Sequence, residues 1–90
     1  MKLLEFVYTK QDGSVSKRAV IELVTPNKFI EGWDVTDLSS DNFAEFAKTM
    51  GDLRRRQHEE TMQLLSNFDL KHNYRRFKPE LMTELQVDYV

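Results

Sequence analysis

The segment from Lys71 to Lys78 holds the side chains of this sequence that are best suited to bind an anion. Four of its residues are Lys or Arg, none is Asp or Glu, and Tyr74 and Phe77 lie among them. A guanidinium group binds phosphate through two parallel hydrogen bonds, and it can also stack on a nucleic-acid base. These residue types at this spacing predict contact with nucleic acid or with a nucleotide-like ligand.

Other cationic and aromatic residues are candidates for the same site. The predicted ligand-binding residues are Arg18, Phe29, Trp33, Tyr74, Arg75, Arg76 and Lys78. The aromatic members would supply a stacking platform for bases, although in so small a domain all of them could instead form the core. The arginines have an alternative role as well, because charges on an edge strand prevent aggregation.

No pattern of residues in the chain is typical of an enzyme or of a metal protein. There is no Cys, so neither a disulfide framework nor a thiolate metal site can form. His58 is followed by two Glu but lacks the second His of a zinc-protease helix, and His72 has no neighbouring ligands. The three Gly are scattered, which excludes a glycine-rich phosphate loop. We therefore expect a non-catalytic protein without catalytic residues, metal or cofactor.

The composition predicts one small folded domain spanning residues 1–90. Hydrophobic residues make up 40% of the chain and charged residues 31%, values that are ordinary for a globular protein. The net charge of -2 excludes a uniformly basic nucleic-acid binder. A local basic cluster can still attract phosphate, because salt screens charges over about 8 Å. The first apolar run is too short for a signal peptide or a membrane span, so we expect a cytoplasmic protein with no membrane contact.

Residues 1–36 have the pattern of a three-stranded meander. Leu4, Phe6 and Tyr8 alternate with other residues at the two-residue period of a strand. Asp12-Gly13 is a strong hairpin signal, because Gly accepts a positive φ without steric cost. A second alternating strand covers residues 16–24, and a third covers 28–33 after a turn that contains Pro.

Residues 39–68 are predicted to be helical. One long helix from about Asp41 to Asn67 is the simplest interpretation, and a break near Gly51 is the alternative, since Gly weakens a helix interior. The apolar stripe exceeds what a short meander can cover, so we expect homodimerisation or capture of a partner protein. The predicted interface residues are Phe46, Met50, Leu53 and Leu64.

Residues 73–90 are expected to close the fold with two strands joined by a helical turn at Pro79. The predicted class is α+β: a small bent antiparallel sheet, or a partial SH3-like barrel, with one long helix inserted before the last two strands.

The order of these pieces resembles a WYL-type domain, a small Sm/SH3-like barrel that binds ligands or nucleic acid. Tyr8 to Gly13 and Ser16-Lys-Arg18 stand where the first strands of such domains lie. Phe29-Ile30 match the end of the Trp-Tyr-Leu triplet, and Lys28 replaces its Trp. Arg75, Phe77 and Lys78 match the closing Arg-Thr-Phe-Arg segment, whereas Arg76 replaces its Thr.

This resemblance implies a regulator that contacts nucleic acid or a nucleotide-like ligand through a basic strand. The alternative function is a protein-interaction adaptor or inhibitor, such as an accessory or phage-encoded factor, that acts through its amphipathic helix.

Overall fold

The chain folds into five strands and two helices, and the computed structural model describes residues 1–24, 29–51 and 56–89. The elements in chain order are β1 (Lys2–Thr9), β2 (Val15–Val24), β3 (Ile30–Asp34), α1 (Ser40–Met50), α2 (His58–Asn67), β4 (Asn73–Phe77) and β5 (Met82–Tyr89). A single turn of 3-10 helix, Pro79–Leu81, joins β4 to β5.

All five strands belong to one antiparallel sheet with the spatial order β4-β3-β2-β1-β5. The predicted meander of the first three strands is confirmed, and so is the α+β class. The helices are inserted between β3 and β4, before the last two strands, as the sequence predicts. The two closing strands do not lie side by side: β4 pairs with β3, and β5 pairs with β1 at the other edge.

The sheet bends so strongly that its two edges approach each other at one end. In a flat sheet, four strand spacings would separate β4 from β5 by about 19 Å. Only residues 78–81 link them, and three of these residues are in a turn with a rise of about 2 Å per residue. Consistent with this bend, the Tyr8 hydroxyl in β1 accepts a hydrogen bond of 3.2 Å from the backbone N–H of Lys78, just after β4. The edges do not pair, so the sheet is bent but not closed into a barrel.

The helical segment is broken, which makes the prediction of one long helix wrong and its alternative correct. Helix α1 ends at Met50, and Gly51 then adopts φ +72°, a left-handed conformation that favours glycine. The N–H of Gly51 still donates to the carbonyl of Ala47 at 2.9 Å. At the other end of α1, Glu5 in β1 accepts a hydrogen bond of 3.0 Å from the Ser40 N–H, which ties the helix to the sheet.

The helices cover one face of the sheet and form the larger core with it. This core contains Leu3, Ala19, Ile21, Trp33, Val35, Leu38, Phe43, Phe46, Met50 and Leu65. A smaller cluster, Leu4, Phe6, Val20 and Phe77, lies inside the bend on the opposite face. Because successive strand residues point to opposite faces, a single strand such as β1 contributes side chains to both cores.

The predicted interface residues of the helical segment lie mostly in the core. Phe46 and Met50 are buried within the chain, and the half-buried Leu64 packs against the same core. Two short helices turn this apolar stripe onto the sheet, so these three residues pack mainly within the chain. The fourth predicted interface residue, Leu53, lies outside the described residues.

Candidate anion-binding edge

Strand β4 forms one edge of the sheet and carries the predicted basic residues. Its register with β3 places Arg75 opposite Gly32 and Arg76 opposite Glu31. Successive side chains alternate between the two faces, so these arginines point to opposite sides of the sheet. Each of them meets a different carboxylate of β3.

On the inner face of the bend, Arg18 and Arg75 converge on Asp34. The carboxylate of Asp34 is buried, with the residue only 3% exposed. Its Oδ2 accepts a hydrogen bond of 2.9 Å from Nη1 of Arg18, and Nε of Arg75 lies 3.7 Å from the same oxygen. Burial raises the pKa of Asp34 above its ordinary value, although both guanidinium groups oppose this shift.

The second carboxylate oxygen of Asp34, Oδ1, is also buried, and none of the residues that the structure describes forms a hydrogen bond with it. Two cations therefore share one buried anion, which leaves this cluster with a net charge of +1. A buried charge is stabilised only while its partners stay in place. Asp34 consequently holds Arg18 and Arg75 in position on the sheet.

On the outer face, Glu31 organises Tyr74 and Arg76. The Tyr74 hydroxyl donates to Oε2 of Glu31 at 2.6 Å, and Nε of Arg76 donates to Oε1 at 2.6 Å. These two hydrogen bonds lower the pKa of Glu31. Burial and the hydrogen bond to Glu31 raise the pKa of Tyr74 to about 12, so its phenol stays protonated and donates at neutral pH.

The arginines keep most of their hydrogen-bonding capacity free. The side chain of Arg76 is 69% exposed, and its hydrogen bonds to residues in the described ranges use Nε alone. A guanidinium has five N–H donors, so the four donors on the two Nη atoms remain for a ligand. Arg75 is half exposed, and Lys78 is exposed just beyond the strand. The edge therefore offers oriented cations to the solvent.

The aromatic residues are divided between core and surface. Trp33 is 2% exposed and packs against the rings of His58, His72 and Tyr74, with centroids 4.6, 5.7 and 5.3 Å away. Trp33 therefore belongs to the core and not to an exposed stacking platform, because a helix and two strands enclose it. Phe29 is half buried. Tyr74, at 37% exposure, is thus the aromatic side chain on the described part of β4 that a base could reach.

Sequence reasoning did not assign Asp34, Glu31 or His58 to this site. The signal for the acids was present, since Glu31 and Asp34 flank Trp33 in a strand that faces a basic one. Recognising it required the pairing of β3 with β4, which spans about forty residues. For His58 no local pattern exists, because its contact with Trp33 depends on where the second helix begins.

The described residues contain neither a candidate metal site nor a helix that could span a membrane. In the ranges that the structure covers, no cluster of three or more His, Asp or Glu is arranged to hold a metal ion. The helices of those ranges are also too short and too polar for any of them to cross a bilayer.

A comparison with protein-family models, with curated proteins and with solved structures finds no match to this chain. The resemblance to WYL-type domains therefore stays a prediction.

Proposed function

We propose that the protein is a non-catalytic binding module whose β4 edge contacts the phosphate backbone of single-stranded nucleic acid. The observation that carries this proposal is the arrangement of Arg75 and Arg76 on an exposed edge strand. Each has a carboxylate partner on its Nε side, at 3.7 and 2.6 Å, and their side chains are 47% and 69% exposed.

The carboxylates support binding because they orient the arginines beforehand. A free arginine loses considerable side-chain freedom when it binds, and this loss weakens affinity. Contacts with Asp34 and Glu31 remove part of that freedom in the unbound protein. The two Nη atoms of one guanidinium then match two oxygens of a phosphate, a geometry that lysine cannot provide.

The same carboxylates limit the affinity. They neutralise part of the local charge, and the whole chain carries a net charge of -2. Three phosphate contacts, from Arg75, Arg76 and Lys78, would give a salt slope of roughly 2, since each contact on a single strand contributes about 0.7. Tyr74 adds a ring beside these cations for stacking on a base. We therefore expect micromolar or weaker binding, most favourable at low salt.

Fluorescence anisotropy with a labelled single-stranded oligonucleotide tests this proposal over a salt series. Arg76→Ala should weaken binding and reduce the salt slope by about 0.7. Lys48→Ala is the matched control, because it removes one exposed positive charge from helix α1 and leaves β4 intact. Equal affinities and slopes for the two variants would show that β4 does not contact phosphate.

The adaptor function remains a second candidate, supported by a shallow groove beside helix α1. This groove has a volume of about 220 Å³ and is lined by Leu38, Asn42, Glu45, Phe46, Thr49, Phe68 and Leu70. Its exposed Phe68 is available for a contact. Phe68→Ser would abolish capture of a partner through this groove without changing the binding of an oligonucleotide. We also propose that the protein is cytoplasmic, as predicted from the sequence.

A further inference from the structure

The edge strand β5 exposes a row of apolar side chains that its own chain does not cover. Leu85, Val87 and Tyr89 are all exposed to solvent. Val87 lies opposite Leu4, and Tyr89 lies opposite Lys2, whose ammonium group is 5.6 Å from the centre of the Tyr89 ring. Residues two apart share a face, so the three side chains form one stripe along the strand.

This edge lacks the basic residues that often prevent strands from pairing. Natural sheets protect a free edge with Lys, with Pro or with bulges. The sequence of β5 contains no Lys, Arg or Pro. An irregularity does occur at Glu84, where φ is 54° and the register with β1 shifts. It lies before Leu85, so the segment that follows it to Tyr89 stays free to extend the sheet.

We propose that β5 pairs antiparallel with β5 of a second copy of this chain, centred on Val87. A two-fold axis at Val87 places it opposite its own copy and places Leu85 opposite Tyr89 of the second copy. The six apolar side chains then lie in direct cross-strand pairs, the contacts that stabilise an antiparallel sheet. On the other face, the amide of Gln86 donates to the carboxylate of Asp88 of the second copy.

Repulsion between acidic residues disfavours the two registers that are shifted from this one by one residue in either direction. A shift that centres the pair on Gln86 sets Glu84 opposite Asp88, and a shift that centres it on Asp88 sets Asp88 opposite itself. Like charges directly opposite each other destabilise a sheet. The arrangement centred on Val87 brings no acid opposite an acid. A second copy of β5 is therefore complementary to this edge in both its apolar and its charged positions.

Sedimentation equilibrium of the full chain tests the association. We expect the parent to form a weak dimer at protein concentrations up to about 1 mM. Val87→Lys should give a folded monomer, because the two lysines would face each other across the axis. Met62→Lys is the matched control: Met62 on α2 is 41% exposed and Val87 is 38% exposed. A monomeric parent, or a Val87→Lys variant that still dimerises, would overturn the proposal.

Cysteine variants test the register without altering the charge. The chain has no Cys, so each variant carries a single thiol. Directly opposite residues bring their Cβ atoms to about 4.5–5.5 Å, close to the distance that a disulfide needs. Val87→Cys should therefore form a disulfide dimer on mild oxidation. Leu85→Cys should form one only when mixed with Tyr89→Cys. This register would be excluded if the Leu85→Cys variant formed a disulfide dimer by itself while the Val87→Cys variant formed none.

Discussion

The two edge strands of the sheet, β4 and β5, expose opposite kinds of side chain although only residues 78–81 separate them in the chain. On β4 the exposed residues are Arg75 and Arg76 with Tyr74 between strand and helix. On β5 the exposed residues include the apolar Leu85, Val87 and Tyr89, and the strand has no basic residue. An unpaired edge presents free backbone groups, so its side chains decide whether another strand can join it.

The charges of β4 have a structural role in addition to the binding role that we propose for them. Charges that served only to prevent the pairing of this edge with another strand would need no ion-pair partners. Here Asp34 and Glu31 of β3 meet the arginines at defined distances and hold them in place. Among the described residues of β5 no such network of ion pairs is seen, and three apolar side chains are exposed there. One small sheet thus has an edge with paired arginines, at which we propose anion binding, and an edge with an exposed apolar stripe, at which we propose self-association.

The largest expected loss of stability is that caused by a substitution of Gly32 in β3, the strand that pairs with β4. A Cβ added to Gly32 would lie 2.0 Å from the backbone oxygen of Ile21 in β2, so β3 and β4 would have to move together. We expect Gly32→Ala to lower the free energy of unfolding by about 3 kcal/mol or more. Urea denaturation followed by circular dichroism measures this change.

Gly13 in the first hairpin provides the control for that experiment. It has φ +85°, and a Cβ there would meet no atom within 4 Å. Gly13→Ala should therefore cost only the left-handed backbone strain, about 1–2 kcal/mol. A loss at Gly32 no greater than that at Gly13 would show that β3 and β4 can shift without penalty.

The next largest difference is expected between the two ion-pair networks that hold the arginines. Arg18→Ala leaves the buried carboxylate of Asp34 with Arg75 alone, 3.7 Å away. Breaking a buried pair in this way should cost about 3 kcal/mol. Arg76→Ala removes an exposed ion pair and should cost less than about 1 kcal/mol. Thermal or urea unfolding of both variants makes the measurement, and similar losses would mean that Asp34 is not held as a buried ion.

The smallest effect is a difference in pH dependence between Asp34 and Glu31. Burial raises the pKa of Asp34 from 3.8, so the folded protein binds its proton more tightly than the unfolded chain. The contribution of Asp34 to stability is therefore full below pH 3.8 and is lost as the pH rises through the raised pKa. Hydrogen bonds from Tyr74 and Arg76 lower the pKa of Glu31 from 4.5, so its contribution is full above pH 4.5 and is lost as the pH falls.

Two variants separate these opposite slopes. As the medium is acidified, Asp34→Asn should lose stability more steeply than the parent, because it lacks the group that favours folding in acid. Glu31→Gln should lose stability less steeply. Urea midpoints measured from pH 6 to pH 3 show the slopes directly. Parallel curves for both variants would contradict the assigned directions of the pKa shifts.

Several features of the fold were readable from residues that are close together in the sequence. The alternation of Leu4, Phe6 and Tyr8 marked a strand, and Asp12-Gly13 marked a hairpin. In the structure the side chain of Asp12 accepts a hydrogen bond of 2.9 Å from the Ser14 N–H, which completes that turn. Gly51 indicated a break between two helices only as the alternative to one long helix, which the sequence favoured and the structure does not show. Such features follow from local backbone preferences and short-range hydrogen bonds, so a few neighbouring residues suffice to determine them.

The position of a basic strand after the helical segment follows from the sequence alone, whereas the contacts of that strand depend on the tertiary structure. Only the pairing of β3 with β4 brings Arg75 to Asp34 and Arg76 to Glu31. Only the packing of the helices buries Trp33 and Phe46. Only the pairing of β5 with β1 leaves an apolar edge exposed. These contacts join residues that are tens of positions apart, and their register is set by a core to which every element contributes.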